Sequence, residues 1–529
     1  MTLTSQAGRA TLSLSDRTIT GLRTEERDMP SAQHSPGTAV DPASRPVLAV
    51  DQGTSSTKAL VICPERGVIG SGSAPAPPRY GSGGLVEADP ALLLSSVVDA
   101  GRLALADAGE PVAAVGLANQ GETVLAWDPR TGEPLTDAIV WQDRRAASVC
   151  AELAPHDEML RELTGLPLEP YFAAPKMAWI RRNLTREGVV TTSDSWLVHR
   201  LTGEFVTDAA TAGRTQLLDL DTAEWSPAAL DVFGMSDERL PQVVDAAGRF
   251  GVTTSFGDDP IPLTGLLVDQ QAALLAQNVT EPGTAKCTYG TGAFLLAQTG
   301  ARPLRSGTGL VGCVAWRLDG RTSYCLDGQV YTAASAVRWL SDLGVISGAD
   351  DLDRVGSSVA DSGGVTFVPS LAGLAAPWWR GDAKGSMTGL GLETGSGHLV
   401  RALCEGIAAQ VVALADAVAE DTGTPLEALR VDGGLTRSDL LMQTQADLLQ
   451  LPVELSPLPD ATALGVGALA RLGLDPGMTV ERAAPRWRPQ KVFEPRIGAA
   501  EAAERLGVFR TEVAALVAAL PAAGRAGPV

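Results

Sequence analysis

The amino-acid sequence predicts an α/β protein built from two related halves. Strand-like and helix-like runs alternate along most of the 529 residues, which is typical of layered α/β folds. Two predicted hairpins, with turns at Gly53-Thr54 and Gly290-Thr291, lie far apart in the chain. They indicate two related domains that face one ligand. The alternative is a coincidence between two Gly-Thr turns in a chain that contains 57 glycines.

The balance of charged residues excludes some classes of partner. The chain has 42 basic and 62 acidic residues, so its formal charge is −20 at pH 7. A nucleic acid is therefore not expected as a partner, because its phosphates would be repelled. No run of about eighteen uninterrupted apolar residues is present, and the N-terminus lacks the apolar core of a secretory signal. We expect a cytoplasmic protein without a membrane partner.

The six cysteines form no C-x-x-C pair and have no histidine neighbour at metal-ligand spacing. This favours buried free thiols over a zinc site or a disulfide scaffold. Arginine greatly outnumbers lysine, which suggests a specific role for each lysine unless codon bias explains the excess. The lysines are Lys58, Lys176, Lys286, Lys384 and Lys491.

The beginning of the chain differs in composition from the rest. Residues 1–45 are polar, rich in Pro, Ser and Gly, and aperiodic, so we predict a disordered extension. Met29 is an alternative start of translation. The folded region is predicted to begin with two β-rich runs at 47–51 and 57–63, which form the first hairpin.

The turn of the first hairpin has the composition of a phosphate-binding loop. It offers glycine for close backbone approach, hydroxyl groups, and a carboxylate that can hold a hydrated Mg²⁺. An ordinary hairpin with an Asx-type turn is the alternative. Lys58 on the second strand could screen phosphate charge, or it could be an exposed strand lysine. The turn residues are Asp51-Gln52-Gly53-Thr54-Ser55-Ser56.

Two further segments carry polar side chains directly after predicted strands. Asp269 follows the run GLLV and begins an apolar helix, so it is either a helix cap or a general base for a substrate hydroxyl. The string Trp141-Gln142-Asp143-Arg144-Arg145 could orient a polar substrate or form a solvated ion-pair patch. A helix at 91–108 and a strand at 112–117 precede these segments, and the strand leads into Asn119-Gln120-Gly121-Glu122.

The second half is predicted to begin near Thr280, where GTAKCTYGTGAFLLAQ again indicates strand, Gly/Thr turn and strand. Further along, LRVDGGLTRSDLLMQTQADLLQ predicts a strand, a Gly-Gly turn and an amphipathic helix. The Ala-rich residues from 501 onward are predicted to form a surface helix and a frayed tail.

Taken together and in order, these strings resemble the FGGY carbohydrate kinases, and within them the glycerol kinase branch. The resemblance extends from about residue 46 to residue 475. It is carried by LAVDQGTSSTKALV, GLANQGETVLAWDPRTGEPLTDAIVWQDRRA, TGLPLEPYFAAPKMAWI, DQQAALLAQ, GTAKCTYGTGAFLLAQTG, YCLDGQV and LRVDGGLTRSDLLMQTQADLLQLPVE.

The resemblance implies two actin-like (ribonuclease-H-like) domains with the active site in the cleft between them. Their expected boundaries are 46–278 for acceptor and phosphate binding and 279–500 for nucleotide binding, followed by a C-terminal helix and tail at 501–529. It further implies ATP and Mg²⁺ as cofactors and a small polyol or sugar as substrate. Many members of the family self-associate, which makes a homo-oligomer an expectation.

The resemblance also implies roles for individual residues. Asp269 matches the catalytic base, and Asp51 would hold Mg²⁺ through water. The nucleotide and its phosphates would be bound by Thr54, Ser55, Ser56, Lys58, Gly290, Thr291, Gly433, Gly434 and Ser438. The acceptor pocket would be formed by Gly121, Glu122, Trp141, Tyr171, Asp269, Gln270 and Phe294.

Several positions depart from the family pattern. Gly121 stands where glycerol kinases carry an arginine that binds the acceptor, so a longer polyol or a ketose could fit, or Arg144 or another side chain could fill the gap. Lys58 stands where the glycerol kinase branch usually carries an arginine, and in this respect the chain resembles the xylulose kinases. The remaining departures are Ala173 before Lys176, and Ala334, Arg338 and Ser438 around the nucleotide.

The sequence therefore predicts an ATP-dependent kinase that phosphorylates a terminal hydroxyl of glycerol or a related small polyol. One alternative is a ketopentose kinase of the xylulose type, which Gly121 favours. Another is a non-catalytic, actin-like or chaperone-like nucleotide-binding protein, or a degenerate kinase that acts as a sensor. The presence of both Asp51 and Asp269 argues against the non-catalytic alternatives.

Overall fold

The computed structural model describes residues 44–521. The predicted disordered extension at 1–45 lies outside the described residues except for its last two positions. The end of the predicted C-terminal tail, beyond residue 521, lies outside them as well.

Helices and strands alternate along the described residues. The helices are α1 (Pro90–Ala108), α2 (Ala147–Leu153), α3 (Asp157–Thr164), α4 (Ala173–Asn183), α5 (Ser193–Thr202), α6 (Ala209–Gly213), α7 (Pro227–Val232), α8 (Asp269–Ala276), α9 (Ala334–Asp342), α10 (Leu352–Gly356), α11 (Ser396–Thr422), α12 (Asp439–Leu449), α13 (Ala461–Leu474), α14 (Val480–Ala483) and α15 (Ala499–Ala518). The strands are β1 (Val47–Gln52), β2 (Ser56–Cys63), β3 (Gly67–Pro75), β4 (Arg79–Tyr80), β5 (Val86–Ala88), β6 (Val115–Asn119), β7 (Val124–Trp127), β8 (Ala138–Ile139), β9 (Val189–Thr192), β10 (Val206–Asp208), β11 (Leu218–Asp219), β12 (Glu224–Trp225), β13 (Gln242–Val244), β14 (Val252–Thr253), β15 (Ile261–Val268), β16 (Thr284–Tyr289), β17 (Ala293–Gly300), β18 (Val311–Leu318), β19 (Arg321–Val330), β20 (Thr366–Val368), β21 (Ser386–Thr388), β22 (Ala428–Asp432), β23 (Val453–Leu455) and β24 (Lys491–Phe493).

Two large sheets share one topology. In the first sheet β3, β2 and β1 are antiparallel neighbours, and β1 then pairs in parallel with β6, which pairs in parallel with β15. In the second sheet β19, β17 and β16 are antiparallel, and β16 then pairs in parallel with β22 and β22 with β23. Both predicted hairpins are confirmed. Because the matching order extends over five strands, the two Gly-Thr turns belong to an internal structural repeat and are not a coincidence.

The first sheet is covered on both faces. Side chains alternate along a strand, so Leu48 and Val50 share one hydrophobic cluster with Val97 of α1. Ala49 points the other way and shares a cluster with Val466 of α13. The parallel strands β6 and β15 are accordingly almost entirely buried, as expected for strands covered on both faces, whereas β3 is largely exposed.

Helix α13 packs on the first sheet although it occurs late in the chain. Glycines make this close approach possible, because a Cβ atom at Gly116 of β6 would lie 2.4 Å from the carbonyl oxygen of Val466. A Cβ atom at Gly465 would likewise lie 1.9 Å from the carbonyl oxygen of Ala272 in α8. The range 279–500, predicted as the second domain, thus contributes one helix to the core of the first half.

Helix α11 is the longest helix, and it packs against the second sheet. It is the one helix of residues 44–521 that is long and apolar enough to cross a membrane. Its most apolar window is 78% buried within the protein, as in the core helix of a globular domain. Arg401 and Glu405 interrupt its sequence, so the helix does not contain an uninterrupted apolar run of membrane-spanning length.

Candidate active site

A cavity of about 130 Å³ lies between the two halves of the protein. Ten of its lining residues come from the first half, and Phe294 and Asp327 come from strands of the second sheet. The cavity brings together all of the predicted acceptor residues. Its lining consists of Thr54, Gly121, Glu122, Trp141, Tyr171, Arg214, Val268, Asp269, Gln270, Gln271, Phe294 and Asp327.

Asp269 lies where strand β15 ends and helix α8 begins. Its Oδ1 accepts a hydrogen bond of 2.6 Å from the backbone N–H of Gln270, so the side chain interacts with the helix N-terminus and also lines the cavity. Burial, assisted by the nearby Glu122 carboxylate, raises the pKa of Asp269 to about 6. The Gln270 amide, Lys286 and Arg214 oppose this rise. A carboxylate with this pKa is ionised at neutral pH and can accept a proton.

Three aromatic rings form one wall of the cavity. The ring centroid of Trp141 lies 5.7 Å from that of Tyr171 and 6.4 Å from that of Phe294, and both pairs meet edge to face. The indole N–H of Trp141 donates to Oγ1 of Thr54 at 3.0 Å. This bond links the acceptor cavity to the turn of the first hairpin.

Arg214 also lines the cavity, although it was not among the residues predicted for the site. Its guanidinium is buried and donates to Glu122 at 2.6 Å and to Asp327 at 2.7 Å. Burial opposes its charge, but the two carboxylates outweigh this and hold the pKa of Arg214 well above its usual value. Among residues 44–521, the hydroxyl of Tyr171, at 3.5 Å, is the one partner of its Nη2 group, so this group retains a donor for a ligand.

The turn that contains Gly121 is the point of greatest departure from the family pattern. Arg144, one candidate to replace the missing guanidinium, is half exposed and lies 3.9 Å from Glu169, and it does not line the cavity. A Cβ atom at Gly121 would lie 3.1 Å from Cγ2 of Val268. Glu122 has a φ of +56°, an uncommon conformation for this residue type that indicates local strain at the cavity.

The predicted phosphate-binding turn connects β1 to β2. The backbone N–H of Gly53 donates to the carbonyl oxygen of Ser56 at 3.1 Å, while the backbone N–H groups of Thr54 and Ser55 take part in no backbone hydrogen bond of residues 44–521. Burial, followed by the effect of Asp269, raises the pKa of Asp51 to about 7. The two carboxylates, which both belong to the first half, therefore lie close enough to interact.

Lys58 is half exposed, and its Nζ lies 3.1 Å from Oδ1 of Asp460. Both residues line a separate groove on the outer side of β2 and β3. Lys58 is one of the groups that lower the pKa of Asp51, so it acts electrostatically on the phosphate-binding turn. The structure does not bring Lys58 into the acceptor cavity.

The predicted nucleotide residues lie on the second half. The carbonyl oxygens of Gly290 and Thr291 accept from the first amides of helix α9. Gly433 has a φ of +97°, and a Cβ atom there would lie 2.4 Å from the carbonyl oxygen of Tyr289, so the two loops pack directly on each other. Gly434 and Ser438 line a second cavity of about 120 Å³.

The hydroxyl of Ser438 already has two partners in this second cavity. It donates to Asp353 at 2.5 Å and accepts from the backbone N–H of Leu441 at 3.1 Å, which caps helix α12. Arg338, another departure from the family pattern, is exposed on helix α9. The structure therefore places Ser438 and the acceptor residues in different cavities.

Lys176 supports the acceptor cavity from behind. It is fully buried, and its Nζ donates to the carbonyl oxygens of Pro170, Tyr171 and Phe172 at 2.9, 2.5 and 2.6 Å. Burial lowers its pKa to about 7. Lys176 fixes the loop that carries Tyr171, a role that its sequence neighbourhood did not reveal.

Comparison with known proteins agrees with this geometry. The pattern of the N-terminal domain of the FGGY family of carbohydrate kinases matches residues 46–276, and that of the C-terminal domain matches residues 285–473. The glycerol kinase of Alkalilimnicola ehrlichii is 41% identical over 486 residues, which cover 88% of this chain and 97% of that protein. The glycerol kinase of Thermus brockianus is 42% identical over 467 residues, covering 85% and 94%.

Solved structures show the same architecture. The crystal structure of Plasmodium falciparum glycerol kinase with ADP matches with a TM-score of 0.83 and 30% identity, covering 89% of this chain and 98% of that one. The xylulose kinase of Lactobacillus acidophilus, at 22% identity, shares the fold with a TM-score of 0.81, covering 90% and 99%. The predicted two-domain, actin-like fold is confirmed, and the chain belongs to the FGGY family of carbohydrate kinases.

Proposed function

We propose that this kinase transfers the γ-phosphate of ATP to a terminal hydroxyl of glycerol. The observation that carries the proposal is the small cavity with Asp269 in its wall and three aromatic rings beside it. Its volume of about 130 Å³ is below the roughly 300–1,000 Å³ of sites for larger ligands. The glycerol kinases named above, to which this chain is about two-fifths identical, support the same acceptor.

The residues of the cavity have complementary roles in this proposal. Asp269 accepts the proton of the attacking hydroxyl as the new O–P bond forms. Glu122 and the free donor of Arg214 orient the other hydroxyls of the acceptor, which limits its positions to productive ones. Trp141 and Phe294 cover its carbon atoms and exclude water, which would otherwise compete as the phosphate acceptor.

We infer that Asp51 holds Mg²⁺ through water. Burial is the main cause of the raised pKa of Asp51, and the nearby Asp269 carboxylate adds to it. Oxygen ligands of this kind suit a divalent cation. Such an ion would neutralise charge on the transferring phosphate.

The turn of the first hairpin supports the same phosphate. It contributes the free amides of Thr54 and Ser55, the hydroxyl of Ser56 and the charge of Lys58. The loop at Gly290-Thr291, the adjacent Gly433, and the cavity lined by Gly434 and Ser438 are proposed to hold the nucleotide.

The charges of the cavity favour a neutral acceptor. Glu122, Asp269 and Asp327 contribute three carboxylates against one guanidinium, so a sugar acid would be repelled. A ketopentose remains the second candidate, because Gly121 has no side chain at the position where glycerol kinases carry an acceptor-binding arginine. Cytoplasmic location, self-association and the domain boundaries remain predictions.

ATP turnover with a panel of acceptors tests the choice between these substrates. We expect kcat/KM for glycerol to exceed that for xylulose, ribulose, xylitol and arabinitol by about tenfold or more, since a longer chain overfills the cavity. ADP release in the presence of Mg²⁺ is the measurement. A preference for a ketopentose would establish the second candidate, and turnover of none would contradict kinase activity on these acceptors.

The pH dependence tests the ionisation state of Asp269. Its pKa in the folded protein, about 6, lies above its usual value, so the carboxylate gains its proton as the pH falls through 6. A general base is inactive when protonated, and kcat/KM should therefore fall roughly tenfold for each pH unit below that point. Rates measured between pH 5 and 8 with saturating ATP would show the decline. A flat profile down to pH 5 would exclude a base with this pKa.

A further inference from the structure

Lys286 is fully buried and lies behind the wall of the acceptor cavity. It is carried by β16 of the second sheet, and its Nζ donates to Oε1 of Gln270 at 2.5 Å and to Oγ1 of Thr288 at 3.0 Å. Gln270 belongs to α8 in the first half of the protein and lines the cavity. The hydrogen bond between Lys286 and Gln270 therefore connects the two halves directly at the acceptor site.

The chemistry of the lysine determines which end of the glutamine amide it contacts. An ammonium group only donates hydrogen bonds, whereas an amide has one accepting and one donating end. The carbonyl oxygen of Gln270 must therefore point to Lys286, and the opposite end of the amide is Nε2. Among residues 44–521, no side chain or carbonyl accepts a hydrogen bond from Nε2 of Gln270, so this donor is available to a ligand.

We propose that Lys286 is a positioning residue for acceptor specificity, because it fixes the Gln270 amide so that Nε2 donates to a hydroxyl oxygen of the acceptor. The inference rests on the proposed function only in that the cavity binds a polyhydroxylated acceptor. Lys286 and Gln270 belong to different halves. Nε2 of Gln270 is therefore correctly oriented only when the halves are close enough for Lys286 to contact Gln270. Binding of the acceptor and approach of the halves are then coupled.

Replacement of Lys286 by methionine tests the proposal. The methionine fills a similar volume without a donor, so the Gln270 amide is free to rotate. One of the two diols 1,2-propanediol and 1,3-propanediol lacks the hydroxyl that Gln270 recognises. We expect the ratio of kcat/KM for glycerol to kcat/KM for that diol to fall by roughly 2- to 13-fold, which corresponds to the loss of one neutral hydrogen bond. KM for ATP should not change. Lys384→Met, at an exposed lysine, is the control and should leave all rates unchanged.

A second variant separates this role from a general effect on folding. Gln270→Glu has the same shape and can pair with Lys286, but it presents an acceptor to the cavity in place of a donor. We expect it to lose the same preference for glycerol over the diol. Lys286→Arg, which also offers only donors, should retain that preference. Circular dichroism and thermal unfolding would identify any variant that fails to fold.

Two results would overturn the proposal. One is an equal loss for glycerol and both diols in K286M, which is the behaviour of a purely structural residue. The other is an unchanged ratio in Gln270→Glu. If the wild type prefers another acceptor, the proposed function fails by itself, and the Lys286 comparison is made with that acceptor and its deoxy analogues. For an acceptor that binds without being phosphorylated, isothermal titration measures dissociation constants, and the ratio between the acceptor and its deoxy analogue replaces the ratio of kcat/KM values. If no acceptor binds, both proposals are contradicted.

Discussion

Replacement of Asp269 by asparagine is expected to lower kcat by about 10²- to 10⁴-fold, the usual contribution of a general base. Asparagine has the same shape and can still accept the hydrogen bond from the backbone N–H of Gln270. It cannot take the proton of the acceptor hydroxyl. The loss should therefore appear in the rate of phosphate transfer, while the affinity for ATP stays close to that of the wild type.

The measurement combines ADP release with nucleotide binding by calorimetry. Asp382→Asn is a suitable control, because Asp382 is exposed and pairs with Arg380, away from the cavity, and we expect it to leave kcat unchanged. Full activity of the Asp269 variant would show that another group accepts the proton. A loss of ATP binding equal to the loss of activity would instead indicate that Asp269 acts mainly through the metal and its phosphates.

Replacement of Arg214 by methionine is expected to destabilise the protein by about 3 to 5 kcal/mol, which is typical when one partner of a buried ion pair is removed. The side chains of Arg214, Glu122 and Asp327 are only 4%, 5% and 6% exposed. Without the guanidinium, the two buried carboxylates lose the one counter-charge that contacts both of them. Since Asp327 is in the second sheet and Glu122 is in the first half, contact between the halves should weaken and the acceptor should bind poorly.

Urea unfolding followed by circular dichroism would measure this change. Arg305→Met is the matched control, because its pair with Asp221 is bidentate but lies at the surface, and an exposed pair contributes at most about 1 kcal/mol. A triple variant, R214M with Glu122→Gln and Asp327→Asn, should recover stability without recovering activity. A change below about 1 kcal/mol in Arg214→Met would contradict a stabilising role for the ion triad.

The features that could be predicted from the sequence are those that depend on neighbours in the chain. Both hairpins followed from β-rich runs on either side of a glycine-containing turn, and the strand ends predicted for the first hairpin differ from the structure by at most one residue. The strand predicted at 112–117 is found at Val115–Asn119, because its first apolar residues lie in the loop that leads into the sheet. The position of Asp269 at a strand-to-helix junction could likewise be predicted from the residues next to it in the chain.

The features that could not be predicted depend on partners far away in sequence. Arg214 contacts Glu122 and Asp327, which are 92 and 113 residues distant, and no local pattern marks such a triad. The one available signal was an arginine in an otherwise small and apolar string, AATAGRTQLL. For Lys176 and Lys286 the scarcity of lysine was a useful signal, but it could not indicate which atoms they contact.

The late position of helix α13 has a consequence for synthesis of the protein on the ribosome. The last strand of the first sheet, β15, ends at Val268, and α13 begins at Ala461, 193 positions later. At roughly 5 to 20 residues per second, one face of the nascent sheet waits about 10 to 40 s for the helix that covers it. During that time apolar side chains such as Ala49 and Leu267 are exposed to water, so chaperones that shield nascent chains have a defined interval in which to act.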